Sequence, residues 1–340
     1  MSNLKKLSEN LGLSQTTVSR ALNGYPEVNE NTRKRVINAA RKMNYQPNSN
    51  AQRLATGKSK TIGHVVPLAK HDMINPHFSD FIAGAGEAYN KHHYDMLISV
   101  VAASEEEDAY HKMKRDGRVD GVIVHAPTAN DPRIALLKSL DMPFVVHGRT
   151  YHNDDSYNWV DVNNRRAFSQ ATAHLIGLGH KNIALINGWE HMVFAIKRRE
   201  GFMAAMQEAG LPIREELMVS DEMIEPVANM AVRRFMRQPE PPTAILCSSM
   251  LMAIGAQRAL YEMDLRIGRD VSLMAFDDNL SFMNAATSMV SMTVMRSGIR
   301  QHGGICANLL IDLIEGRDTP PHILLEAELL LGTSTSAKVR

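Results

Sequence analysis

The sequence predicts two fold classes in one chain of 340 residues: a small all-α helix-turn-helix headpiece, and behind it a larger two-lobed α/β domain. Three observations predict this. Gly12–Tyr25 reads Gly-Leu-Ser-Gln-Thr-Thr-Val-Ser-Arg-Ala-Leu-Asn-Gly-Tyr, a glycine turn followed by a short helix with a polar face. Residues 1–60 carry 11 Lys and Arg against 3 Asp and Glu, whereas the remaining 280 residues carry 27 against 34. A local surplus of +8 ahead of a body at −7 is the charge distribution of a nucleic-acid binder whose bulk does not touch nucleic acid. Beyond Thr61, short apolar runs alternate with helical patterns, which predicts parallel sheets.

Composition narrows the classes further. Apolar residues make up 44%, a globular value, and no apolar run is long enough to span a bilayer. The N-terminus lacks the apolar stretch of a signal peptide. The two cysteines, Cys247 and Cys306, lie in apolar segments, so a reducing cytoplasm is expected rather than a disulfide framework.

The elements follow in order. Leu4, Leu7 and Leu11 share a face of a first helix, and Gly12 supplies the turn. Ser14 suits the N-cap of a second helix, in which Val18, Ala21 and Leu22 face inward and Gln15, Thr16, Ser19 and Arg20 face outward. Gln and Arg can make paired hydrogen bonds to adenine and guanine edges. The Thr17 hydroxyl suits helix end groups or a phosphate. A third helix starts near Asn29. Pro47 then ends one element, and Asn48 can cap a short helix stopping near Gly57, too short to stand alone. Leu54 on that helix either wedges between base steps of a minor groove or packs on the neighbouring domain.

These motifs, in this order, resemble the lactose-repressor (LacI/GalR) family of bacterial transcription regulators. The run Leu11–Tyr25, then Val28–Arg33, Tyr45–Asn48 and Ala51–Gly57 carry the resemblance, which extends to about residue 330. It implies that Gln15, Thr16 and Arg20 read bases, and that Asn48, Ala51 and Leu54 belong to a hinge helix with Leu54 as the wedge. The full candidate DNA-contacting set is Ser14, Gln15, Thr16, Thr17, Ser19, Arg20, Asn23, Tyr45, Asn48, Ala51 and Leu54. The expected organisation is a headpiece over 1–46, a hinge helix and linker over 47–60, and a periplasmic-binding-protein-like effector and dimerisation domain over 61–335. Lobe one takes about 61–160 plus part of 290–325, and lobe two about 161–289.

In that body, strands are expected at Thr61–Pro67, Met96–Val101, Gly121–His125, Pro143–His147, Asn182–Asn187, Thr243–Cys247 and Val271–Ala275. Helices are expected at Phe78–Lys91, Glu105–Asp116, Arg133–Leu140, Arg165–Gly177, Lys197–Ala209, Pro226–Arg237 and Met250–Met263. Ligands of such folds bind between the lobes, at strand C-termini. Polar residues placed there are Arg149, Arg198, Ser248, Ser249, Asp277 and Asp278. Charged partners suit sugar hydroxyls. Arg198 and Asp277 align with the family's effector positions, although ordinary ion pairing, or helix capping by Asp277, explains such residues as well. Phe78, Phe194 and Trp189 are candidates to stack on a sugar ring, or to pack as core. The candidate effector set is Phe78, Arg149, Arg198, Ser249 and Asp277. The chain departs from the family at Ser249-Met250, where Asn-Asp is usual, and at Gly148-Arg149, where an Asp is usual. His147-Gly148-Arg149 and Cys247-Ser248-Ser249 look similar to regulators of α-glucoside or maltose-type operons.

Other motifs carry no chemistry. Gly84-Ala-Gly86 lies in a helical pattern and is no dinucleotide fingerprint. His64, His71, His77 and the pair His92-His93 read as surface histidines without a metal spacing. No nucleophile elbow, phosphate loop or paired-acid motif occurs, so no catalysis, cofactor or metal is expected. The whole predicts a homodimeric repressor on a pseudo-palindromic operator, responsive to a small sugar-like effector. It is placed in a bacterial cytoplasm, on the nucleoid when bound, with no membrane association. The rival is a sugar-binding module without regulatory output.

Overall fold

The computed structural model describes residues 4–45, 57–67, 76–151, 156–281, 283 and 290–338. Asn48, Ala51, Leu54 and the hinge helix expected around them lie outside the described residues, as does His71.

The headpiece has three helices, α1 (Leu4–Leu11), α2 (Gln15–Leu22) and α3 (Glu30–Lys42). Leu7, Val18, Ala21, Val28, Val36 and Ala40 form its core, with Tyr45 packed against it. Gly12 turns the chain between α1 and α2 at φ +65°, a conformation that glycine adopts without a Cβ penalty.

The body holds two six-stranded sheets. The first part supplies β1 (Thr61–Pro67), α4 (Pro76–Lys91), β2 (Asp95–Val101), α5 (Glu106–Arg115), β3 (Gly121–His125), α6 (Pro132–Ser139), β4 (Phe144–His147) and β5 (Asn158–Val162). The second supplies α7 (Asn164–Gly177), β6 (Ile183–Asn187), α8 (Val193–Glu208), β7 (Met218–Ser220), α9 (Glu225–Phe235), β8 (Ala244–Cys247), α10 (Met250–Glu262), β9 (Ser272–Asp277) and β10 (Thr293–Arg296). The chain then returns through α11 (Ile299–Glu315) and β11 (His322–Leu325) to the first lobe, and ends on β12 (Glu328–Leu330). Sheet one has the order β11-β5-β4-β3-β1-β2, and sheet two β12-β10-β9-β8-β6-β7. All pairs are parallel except β10 with β12. Each sheet is buried on both faces, which is why its central strands are continuous apolar runs.

Three differences from the sequence expectation affect the site. Helix α8 starts at Val193, so Arg198 sits in its second turn rather than opening it. Strands β10 and β12 extend sheet two past residue 289. His64 is no surface residue: it is fully buried in β1.

Lobe one depends on a close crossing of α4 and α11. A Cβ added at Gly84 would run into the Arg300 carbonyl, and one at Gly303 into the Phe81 carbonyl. Neither backbone oxygen can swing away as a side chain could. Gly84→Ala is therefore expected to lower stability by about 1–3 kcal/mol, although alanine is the better helix former by ~1 kcal/mol. Urea unfolding of both proteins checks the sign.

Candidate DNA interface and effector cleft

Helix α2 is fixed before it meets anything. The Thr17 N–H donates to Ser14 Oγ at 3.0 Å, and the two hydroxyls lie 2.8 Å apart. Ser14 is thus the N-cap, and Thr17 is bonded to it. Arg33 reaches back to the Tyr25 carbonyl at 2.8 Å, and Arg35 to that of Leu11 at 3.3 Å. These two arginines brace the turns around α2. Gln15, Thr16 and Arg20 are left exposed on its outer face. Asn23 is the C-cap, and its amide donates to Ser19 Oγ at 3.4 Å. Tyr45 packs its ring on the core, where partial burial raises its pKa. Ser14→Ala is expected to destabilise the headpiece by about 1 kcal/mol, read as faster hydrogen exchange at the Thr17 amide.

The lobes meet through named contacts. His77 Nε2 lies 2.8 Å from Asp278 Oδ2, and Asp80 accepts from the Ser281 N–H at 2.6 Å. The Tyr151 hydroxyl donates to Glu200 at 2.6 Å, with Lys197 4.0 Å from its ring centre.

Arg198 is the centre of the lobe-two wall. It is 5% exposed. Its Nε donates to Asn164 Oδ1 at 2.8 Å and a terminal nitrogen to the Ser248 carbonyl at 2.6 Å. Its guanidinium lies 4.0 Å from the Phe276 ring centre, 5.0 Å from that of Phe194 and 5.2 Å from that of Phe168. Burial lowers its pKa to about 10, with Asp278 and Asp161 opposing, so the cation persists at neutral pH. Among the described residues nothing accepts from its remaining N–H groups. Burial pushes the Asp278 carboxyl up, but His77, Arg198 and His302 outweigh it and hold it below the usual range.

The other candidates are placed differently. Ser249 is fully buried, and its hydroxyl caps α10 by accepting from the Met252 N–H at 3.2 Å. Asp277 accepts from the Asn279 N–H at 2.8 Å and pairs with Arg296 at 2.8 Å. It ends β9 with its side chain tied to the protein, and the neighbouring carboxylate, Asp278, is the one within electrostatic reach of Arg198. Arg149 donates to Asp161 at 2.8 Å and lies 5.0 Å from the Trp159 ring centre. Burial nevertheless raises the Asp161 carboxyl to about 6. Phe78 sits edge-on to His125 with ring centres 5.5 Å apart. Trp189, 40% exposed, donates from its indole to Asp221 at 3.2 Å.

The candidate set left out Asn164, His77, His125, His147 and His302. His125 and His147 close the matching runs Gly-Val-Ile-Val-His and Pro-Phe-Val-Val-His and end neighbouring strands in register. That repetition was the available signal.

A family model described as bacterial regulatory proteins, lacI family, matches residues 4–48. Another, described as periplasmic binding proteins and sugar binding domain of LacI family, matches residues 59–330. The chain belongs to the LacI family. As a LacI-family protein it is a helix-turn-helix transcription regulator with a sugar-binding-type domain, and not an enzyme. It is 45% identical to the HTH-type transcriptional regulator AglR of Rhizobium meliloti (strain 1021), over 98% of this chain and 94% of that one. The transcriptional regulator CelR–cellobiose complex superposes with a TM-score of 0.73 at 26% identity, covering 98% of this chain and 100% of that one. The lac repressor dimer bound to operator and the anti-inducer ONPF shares the fold, with a TM-score of 0.82 at 24% identity over 99% of each chain. Among the described residues, no helix of this LacI-family chain is long and apolar enough to cross a membrane, and no cluster of metal-ligating side chains occurs.

Proposed function

We propose that this LacI-family regulator is a homodimeric repressor of a carbohydrate-utilisation operon, acting in the bacterial cytoplasm and on the nucleoid when bound. Gln15, Thr16 and Arg20 read each half of a pseudo-palindromic operator, and Asn48, Ala51 and Leu54 form the hinge contact. Its effector is an uncharged sugar of the α-glucoside class, held between Arg198 and Asp278 and flanked by Phe78. The domain division stays as the sequence suggests, with the headpiece over 1–46 and the hinge over 47–60.

The observation that carries the effector reading is Arg198, a buried cation whose remaining N–H donors have no acceptor among the described residues. A buried charge needs partners, and sugar hydroxyls supply them without adding charge. The other cleft arginine, Arg149, is already neutralised by Asp161, so little free positive charge remains for an acidic sugar. In this reading Arg149, Ser249 and Asp277 shape the cleft from behind, through Asp161, the α10 cap and Arg296. A disaccharide-sized ligand is supported by the cellobiose complex of CelR.

The test selects duplexes from a randomised library with the full-length protein. Release of the selected duplex is then followed with maltose, trehalose, sucrose, cellobiose, glucose 6-phosphate and galacturonate. A palindromic consensus, strong salt dependence and release by a neutral α-glucoside are expected. Selection of no palindrome overturns the reading of a homodimer on a two-fold operator. Release by the acidic sugars alone overturns the effector class.

A further inference from the structure

Four histidines stand in a row beside the cleft in lobe one. His64 lies within β1, His125 ends β3, His147 ends β4, and His302 lies on α11. Successive ring centres are 5.3, 6.3 and 5.6 Å apart. Burial lowers the pKa of His64 and His147 to about 3 and that of His302 to about 4. It also holds His125 well below the ordinary value, helped by His64, His147 and Arg133. All four are neutral at physiological pH, so each ring has one N–H donor and one bare acceptor nitrogen.

The proton positions on two of them follow from their partners. The Tyr89 hydroxyl lies 2.9 Å from His64 Nε2, and His64 Nδ1 lies 3.0 Å from His125 Nε2. Burial keeps the Tyr89 hydroxyl protonated. Two arrangements fit these distances. In the first, Tyr89 donates to His64 Nε2, His64 donates from Nδ1 to His125 Nε2, and the His125 proton resides on Nδ1. In the second every bond is reversed, and the Tyr89 hydrogen is left buried with no acceptor among the described residues. An unmade buried hydrogen bond is unfavourable, so the first arrangement wins. The His125 backbone is held as well, because Arg133 donates to its carbonyl at 3.0 Å. His125 is itself only partly buried. Its Nε2 is taken by His64, and its Nδ1 has no hydrogen-bond partner among the described residues, which leaves that N–H for a ligand.

We propose that His125 is the lobe-one hydrogen-bond donor that selects the effector, with Tyr89 and His64 as positioning residues that fix its proton on Nδ1. The acceptor is a hydroxyl, ring or glycosidic oxygen of an uncharged sugar. The inference rests on the sugar-effector reading above and adds a specificity contact on the wall opposite Arg198.

Two experiments test it. The first uses full-length protein labelled with 15N-histidine and no sugar, with His125→Asn to assign the His125 signals. A protonated-type signal at Nδ1 and an unprotonated-type signal at Nε2 are expected, with Tyr89→Phe shifting the proton toward Nε2. A wild-type proton on Nε2, or spectra indifferent to Tyr89→Phe, overturns the relay. The second measures by calorimetry the affinity for whichever of maltose, trehalose or sucrose releases operator, with thermal melts confirming that each variant folds. His125→Leu is expected to weaken binding about tenfold. Tyr89→Phe should weaken it less, and His125→Asn, whose amide N–H lies near the lost Nδ1–H, should recover part of the loss. Equal affinity of wild type and His125→Leu overturns the selection role. If none of these sugars releases operator, the effector reading fails, while the labelled spectra still decide the relay.

Discussion

Arg20→Ala is expected to lower operator affinity by about 30-fold to 20,000-fold while leaving the headpiece folded. A base-reading arginine contributes ~1–3 kcal/mol of discrimination, and a dimer on a two-fold site loses it twice. At about 1.4 kcal/mol per tenfold change, this gives the stated range. The folded state should not notice. Arg20 is exposed on the outer face of α2, and its side chain has no salt bridge among the described residues. The core that holds α2 is made by Leu7, Val18, Ala21 and Val36. The braces are Arg33 and Arg35, which bond backbone carbonyls. The sequence puts Arg20 on the outer face of α2 as a base reader and gives Arg33 and Arg35 no separate role. The structure separates one with a free guanidinium from two that hold turns. Fluorescence anisotropy on a selected and a scrambled duplex, across a salt series, checks the difference. Loss confined to the selected duplex is the expected result. Equal loss on both makes Arg20 a phosphate contact, and no loss removes it from the interface.

The headpiece was legible because its determinants are local. Ser14 caps a helix within three residues of itself, and Asn29 does the same for α3. The central strands were legible because burial on both faces makes them apolar throughout. Strands β5, β7, β10, β11 and β12 were not, being three to five residues long and lying at or beside the sheet margins. Their place is set by chain crossovers rather than composition. At the cleft, Arg198 was visible as a residue but its surroundings were not, since Asn164, Ser248 and Phe276 come from three distant segments. The choice between Asp277 and Asp278 depends on where β9 ends and which neighbour takes each carboxylate. Arg296 takes the first and His77 the second, and neither pairing has a local signal. His64 was misread for a related reason. A histidine inside a strand of a doubly covered sheet is buried, as His64 is, whatever its usual preference.

Arg198→Met is expected to give a repressor that binds operator normally and ignores its sugar. Methionine fills the space between Phe168, Phe194 and Phe276 without the charge. Hydrogen bonds from a charged donor are worth ~1.5–3 kcal/mol each, so losing two to the effector weakens sugar binding about 100-fold or more. Operator affinity without sugar should stay within about threefold, because Arg198 lies in lobe two and touches no headpiece residue among those described. Stability should also fall, since Asn164 Oδ1 and the Ser248 carbonyl lose their donor. An unsatisfied buried acceptor costs ~1–3 kcal/mol, and urea unfolding measures that loss separately. Arg198→Lys keeps the charge but replaces a planar fork with a point, so it should retain stability better than sugar response. The coupling to be broken is modest, ~1–3 kcal/mol for a typical allosteric pair. A 100-fold weaker sugar moves the release midpoint about 100-fold, so the operator stays occupied at the concentration that half-releases the wild type. Sugar titrations of the preformed operator complex decide the matter. A variant that releases operator at the wild-type sugar concentration removes Arg198 from the effector site, and one that no longer binds operator without sugar gives it a structural role instead.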